Sequence, residues 1–130
     1  MAVIRVVGAA IVREGKILCA QRGSGKSLSG YWEFPGGKIE DGESEQEALM
    51  REIREELRCE ISIGRKVAST RFAYDFAEVE LNVYLAQLRG QEPDNTEHKQ
   101  LAWVAPDQLS TLRWAPADHE AVARLAEMTL

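Results

Sequence analysis

The stretch from Gly36 to Cys59 limits this chain more than any other, because a glycine-rich loop runs straight into a segment crowded with carboxylates. Ser44 and Glu47 stand at the S-x-x-E spacing of a capping box, which predicts a helix starting there. Ala48, Leu49, Ile53 and Leu57 then recur at helical intervals as one apolar stripe. Glu52, Glu55 and Glu56 lie beside that stripe, as i,i+3 and i,i+4 neighbours. Like charges so placed repel by a few tenths of a kcal/mol per pair. Arg51 is placed to pair with Glu55, with Arg54 and Arg58 close by. A divalent cation would offset the repulsion better, and hard oxygen ligands suit Mg²⁺ or Mn²⁺. Without further context, the same residues describe a solvated helix laced with ion pairs.

Context comes from the spacing: Gly37, five residues, Glu43, seven residues, then Arg51-Glu52-Ile53-Arg54-Glu55-Glu56. This pattern resembles the Nudix box (positions 37–59 here), the signature of hydrolases acting on nucleoside diphosphates linked to another group. The resemblance to MutT-type Nudix hydrolases covers nearly all of residues 1–130, taken as one domain. It implies an α/β/α sandwich, with a mixed β-sheet between the box helix and a C-terminal helix. It also implies a metal-dependent hydrolase, using Mg²⁺ or Mn²⁺, that cleaves a nucleoside triphosphate to the monophosphate and pyrophosphate. By the same resemblance Glu52, Glu56 and the Gly36 carbonyl ligate metal, and Glu55 is either a ligand or the base that deprotonates water. Arg51 holds the carboxylates in orientation, and Glu97 binds metal or orients the attacking water. Two positions depart from the pattern: Arg58 and Cys59 stand where the family has Gly and an aliphatic residue. That glycine serves as a left-handed C-cap, so Arg58 is expected to carry local strain or to change the helix exit.

A chain of 130 residues is long enough for one substantial core. No run approaches the ~20 apolar residues of a membrane-spanning helix. The apolar N-terminus lacks a basic region and flows into alternating structure, which argues against a signal peptide and for a cytoplasmic protein. Cys19 and Cys59 lack metal or disulfide spacing and read as small buried hydrophobes. A net charge of −5 argues against binding long nucleic acids. It would also disfavour a polyphosphate, unless cations stand between the carboxylates and the phosphates. The expected assembly is a monomer or a homodimer.

Taken in order, residues 3–12 read as a buried strand, 13–16 as a tight turn with Gly15 at positive φ, and 17–21 as a second strand. Gly25-Lys26-Ser27 looks like the end of a P-loop. However, Ala20 replaces its first glycine, and glycines and a proline follow where a helix is required, so residues 22–30 are expected to be a loop. Arg22 is either a surface cation or, as in similar Nudix proteins, a contact to substrate phosphates. Lys38 neutralises phosphate oxygens or stays solvated. Tyr31, Trp32 and Phe34 are expected in the core beneath the glycine loop.

Residues 60–70 read as a strand bent near Gly64, and 71–74 with 76–88 as a hairpin turning near Asp75. Phe72, Tyr74 and Phe76 lie near a strand edge, where one aromatic could stack on a base, and Phe72 and Tyr74 are the candidates. Residues 89–100 form a polar loop carrying Glu97 and His98, before a strand at 101–104. A helical turn at 105–109 and a final helix with Ala121, Val122, Leu125 and Met128 on one side complete the chain. Asp118 reads first as the N-cap of that helix. The segment Ala115-Pro116-Ala117-Asp118 also looks like the CTP pyrophosphohydrolase branch of the family, where this position reads the base edge. An ionised Asp accepts from an exocyclic amine such as cytosine N4. CTP, dCTP or a modified cytosine nucleotide is therefore the expected substrate. The alternatives are 8-oxo-dGTP, as in nucleotide-pool sanitation, and a nucleotide-sensing module that does not hydrolyse.

Overall fold

The computed structural model describes residues 2–130, and its architecture follows from one strand buried on both faces. β1 (Val3–Arg13) places Val7, Ala9 and Ile11 in one apolar cluster and Ala10 in a second, on the opposite side of the sheet. Burial on both faces explains why this run is apolar throughout rather than alternating. A turn with Glu14 at φ 52° and Gly15 at φ 75° leads into β2 (Lys16–Gln21). Two short strands follow, β3 (Trp32–Glu33) and β4 (Gly36–Lys38). Residues 22–31 hold no helix, in keeping with the glycines at 23, 25 and 30.

Helix α1 (Glu45–Leu57) starts at the expected capping box. The Glu47 N–H donates to Ser44 Oγ at 3.0 Å, and the Ser44 N–H donates to Glu47 Oε1 at 2.9 Å. Ala48, Leu49, Ile53 and Leu57 are all fully buried against the Val7 side of β1. The helix ends at Arg58, which takes the left-handed conformation (φ 51°, ψ 37°) that the family gives to glycine. A non-glycine residue there costs about 1 kcal/mol, partly offset by its smaller backbone entropy when unfolded. Arg58→Gly is therefore expected to stabilise the fold by about 0.5 kcal/mol. A higher urea midpoint at unchanged slope would show it, and a lower midpoint would refute it.

Residues 61–73 form a single strand, β5 (Ile61–Ala73), not a strand followed by part of a hairpin. β5 pairs antiparallel with β6 (Glu78–Leu88), and its register shifts on both sides of Lys66 beside the bend expected at Gly64. β6 lies parallel to β1, while β4 pairs antiparallel with β1, so the sheet is mixed. β7 (Gln100–Val104) adds to β2. Two 3-10 turns, Pro106–Thr111 and Pro116–Asp118, lead into α2 (His119–Ala126), which ends before Met128. Ala121, Val122 and Leu125 pack on the second cluster, with Phe34, Leu81, Val83 and Trp114. The sheet therefore lies between α1 and α2.

Two further expectations need correction. Trp32 and Phe34 are buried, but Tyr31, just ahead of β3, is only half-buried, and Arg113 lies 4.1 Å over its ring and donates to its hydroxyl. Arg54 does not relieve the helix carboxylates, because its Nε donates to Glu60 at 2.6 Å. No helix among the described residues is long and apolar enough to cross a membrane.

Candidate active site

The register of β1 with β4 sets the site. Val7 pairs with Gly37 on one side and with Asn82 of β6 on the other, which carries the glycine loop across the middle of the sheet. A Cβ on Gly36 would collide with the Val7 carbonyl, and one on Gly37 would fall inside the carboxylate of Glu52. Both glycines are thus required by close approach, the first to a strand and the second to an acidic side chain.

Arg51 joins this loop to the helix. It grips Glu43 with two bonds (2.7 and 2.9 Å), donates to the Lys38 carbonyl at 2.9 Å and to Glu52 Oε1 at 2.9 Å. Its contact with Glu55, the partner expected from spacing, is longer at 3.3 Å. The Arg51 bonds hold the Glu43 carboxyl down to about 2 and raise the guanidinium further. Arg51 therefore orients Glu52 from behind.

The three helix carboxylates do not form one cluster. Glu56 is buried, Glu52 is largely covered, and Glu55 is 59% exposed and outside the cavity they border. That cavity holds about 500 Å³. Its acidic part is lined by Glu52, Glu56, Glu97, Gly36 and Lys38, and another part by Tyr74, Phe76 and Asp118. Burial, with added repulsion from Glu97, Glu33 and Glu52, pushes the Glu56 carboxyl up to about 9. Burial also raises Glu52, with Arg51 opposing it.

Glu33, which sequence reading missed, forms the wall between these parts. It accepts from Arg22 Nη1 at 2.7 Å and lies 3.2 Å from His98 Nε2. Burial acts to raise Glu33, but the His98 and Arg22 contacts outweigh it and hold the carboxyl below the usual range. Arg22 and Lys38 both reach the cavity, and Arg22 also donates to the Ser27 carbonyl at 2.7 Å. Lys26 of the same loop comes within 4.0 Å of Glu97.

Asp118 stands at the N-cap position of α2, as expected, but its side chain does not cap the helix. Its backbone is already helical (φ −89°, ψ −9°). Its Oδ1 instead accepts from the Phe34 N–H at 3.4 Å, leaving the carboxyl at the cavity wall. Burial, with Glu33 adding repulsion, raises its pKa well above the ordinary value. Tyr74 lines the cavity, its hydroxyl accepting from the Ala117 N–H at 2.8 Å. Phe72 does not line it: the ring packs against Tyr74 at 4.7 Å, and Phe76, stacked on Tyr74 at 5.0 Å, reaches the cavity instead. Cys19 and Cys59 are buried and unpaired.

The acidic part suits a hard divalent cation. Glu56 Oε1 is buried with no hydrogen-bond partner, and its neighbours are further carboxylates. Such an atom is costly to bury unless something positive satisfies it. No three His, Cys, Asp or Glu side chains among the described residues converge closely enough to enclose an ion unaided. Backbone and water oxygens, with phosphate oxygens when a nucleotide is bound, would have to complete the shell, as is usual for Mg²⁺.

A family model described as NUDIX domain matches residues 6–124. The chain belongs to the Nudix family. Over 118 residues it is 40% identical to the CTP pyrophosphohydrolase of Escherichia coli K12, covering 91% of this chain and 87% of that protein. It is equally 40% identical, over 127 residues, to a putative 8-oxo-dGTP diphosphatase 2 of Mycobacterium tuberculosis, covering 93% and 86%. Among solved structures, a MutT protein of methicillin-resistant Staphylococcus aureus 252, described as a Nudix hydrolase, superimposes with a TM-score of 0.81. That pair is 49% identical, and 96% of each chain is covered. The protein is thus a MutT-like Nudix hydrolase, a pyrophosphohydrolase of nucleotides. Nudix hydrolases generally use divalent metal ions, in keeping with the oxygen-rich site.

Proposed function

We propose that this Nudix hydrolase is a cytoplasmic enzyme that converts (d)NTP and water to (d)NMP and pyrophosphate, with CTP or dCTP preferred. The observation behind the cytosine assignment is Asp118, a buried carboxyl at the cavity wall beside Tyr74 and Phe76. Because its pKa is raised, Asp118 can present a protonated acid. A neutral carboxyl both donates and accepts. Its O–H matches cytosine N3 and its carbonyl oxygen matches the N4 amine. An ionised Asp118 would only accept, and would suit the adjacent N1–H and N2 amine of 8-oxo-dGTP. Tyr74 or Phe76 offers a face for the base.

Glu52, Glu56, Glu97 and the Gly36 carbonyl would hold Mg²⁺ or Mn²⁺. When bound, the cation polarises phosphate oxygens and makes water easier to deprotonate. Arg51 keeps Glu52 facing the cavity, and Lys38 and Arg22 offset phosphate charge. Glu97, which borders the cavity where Glu55 does not, is also better placed than Glu55 to take the water's proton. Glu55 is exposed, so its assigned role is to hold Arg51.

The test is kcat/KM for CTP, dCTP, 5-methyl-dCTP, dGTP and 8-oxo-dGTP. Cytosine nucleotides should lead, and Asp118→Ala should lower their kcat/KM by about 10–100-fold, as expected for losing a two-point base contact. The ratio of CTP to 8-oxo-dGTP activity cancels titrations common to both substrates. For the wild type it should fall as the pH rises, because Asp118, whose pKa burial raises, loses its proton and then only accepts. Asp118→Asn, which both donates and accepts at any pH, should flatten it. A leading 8-oxo-dGTP with a flat ratio in the wild type would refute the cytosine assignment.

A further inference from the structure

His98 follows Glu97 on the loop before β7, and its side chain is only 4% exposed. Glu33 is held ionised and therefore only accepts, so the facing His98 Nε2 carries the hydrogen. The same nitrogen lies 3.8 Å from Glu56 Oε1. That distance is too long for a hydrogen bond, and it sets the edge of the imidazole directly against the Glu56 carboxyl group. Oε1 therefore stays free for another partner.

The backbone around His98 is pinned on several sides. The Asp94 N–H donates to the Leu57 carbonyl at 2.7 Å, and Thr96 Oγ donates to the Glu56 carbonyl at 2.6 Å. Asn95 bonds the His98 N–H and carbonyl at 2.9 Å each, and the Lys99 N–H donates to the Gln21 carbonyl at 2.9 Å. These bonds fix the loop to α1 and β2. The His98 ring extends that fixation into the cavity wall, on the residue next to Glu97.

We propose that His98 is a positioning residue of the acidic centre: by donating to Glu33 it keeps Glu56 Oε1 aimed at the cavity and Glu97 held over it. The imidazole thereby links the Arg22–Glu33 wall to the helix carboxylates. This rests on the cation site proposed above, and groups that orient metal ligands commonly contribute 10–100-fold to affinity or rate.

Three replacements separate this role from simple filling of space. His98→Gln places an amide N–H at about the reach of Nε2. His98→Phe keeps the ring without the donor, and His98→Asn keeps an amide too short for Glu33. Calorimetry with Mn²⁺ on the nucleotide-free protein should show the Phe and Asn variants binding about tenfold more weakly. Their kcat on CTP should fall by a similar factor with KM within about twofold, and His98→Gln should stay within about threefold of wild type throughout. Phe or Asn performing as well as Gln, or the loss appearing in KM alone, would overturn the positioning role. Wild-type protein that takes up no Mn²⁺ would overturn the proposed cation site itself, and this inference with it.

Discussion

Glu56→Gln is expected to lower kcat by about 10³-fold or more, because it removes the charge of a buried carboxyl on the cavity wall whose Oε1 has no hydrogen-bond partner. The same change should leave the fold intact and even favour it when metal is absent. Burial raises the folded-state pKa of Glu56 from 4.5 to about 9. In metal-free protein its contribution to stability is intact below about 4.5 and declines as pH rises towards about 9. Across that window the unfolded chain has released the proton and the folded chain has not. Gln has no proton to lose. In EDTA at about pH 8, Glu56→Gln should therefore melt above wild type, and a divalent cation should stabilise the wild type far more than the variant. Near-normal turnover by Glu56→Gln, or a wild type that outlasts it in EDTA, would count against this account.

Gly37→Ala should separate chemistry from folding. Gly37 does not have positive φ, so alanine is compatible with the backbone. Its Cβ would nevertheless occupy the space of the Glu52 carboxylate, which is partly exposed and can swing away. Displacing a catalytic group by about 1 Å costs on the order of 10²-fold in rate. The expected result is kcat down by about that factor with a melting temperature close to wild type. Gly36→Ala is the contrast. Its Cβ would meet the Val7 carbonyl, which belongs to a central strand and cannot yield without breaking the β1–β4 pairing. That variant should lose stability first, and equal effects at the two positions would refute the distinction.

The parts legible in the sequence were those set by local periodicity. Ser44 and Glu47 marked the start of α1, and Ala48, Leu49, Ile53 and Leu57 marked its buried face, because a capping box and a helical stripe need only neighbouring residues. Arg58 announced a left-handed helix end by standing where glycine is usual. Along β6 the alternation of Val79, Leu81, Val83 and Leu85 is itself a one-face signal, and all four lie in or against one cluster.

What escaped was assembled over distance. Glu33 and His98 are 65 positions apart and meet only because β3 and β7 both pair with β2. Asp118 stood at a plausible capping position. A 3-10 turn had already made it helical, which freed its carboxyl for the Phe34 amide. Phe72, Tyr74 and Phe76 share a spacing of two, which placed them on one face without saying which rings pass the strand end and reach the cavity. Glu55 was grouped with Glu52 and Glu56 by helical proximity, yet helix rotation and the covering loop leave it exposed.

The central claim is that the acidic wall of the cavity works only through a cation that joins it to a triphosphate. Its most direct test follows CTP hydrolysis by phosphorus NMR, with Mg²⁺ and with excess chelator. The account predicts CMP and pyrophosphate in equal amounts with Mg²⁺, and no turnover after chelation. CDP with orthophosphate, or hydrolysis that survives removal of the metal, would contradict it.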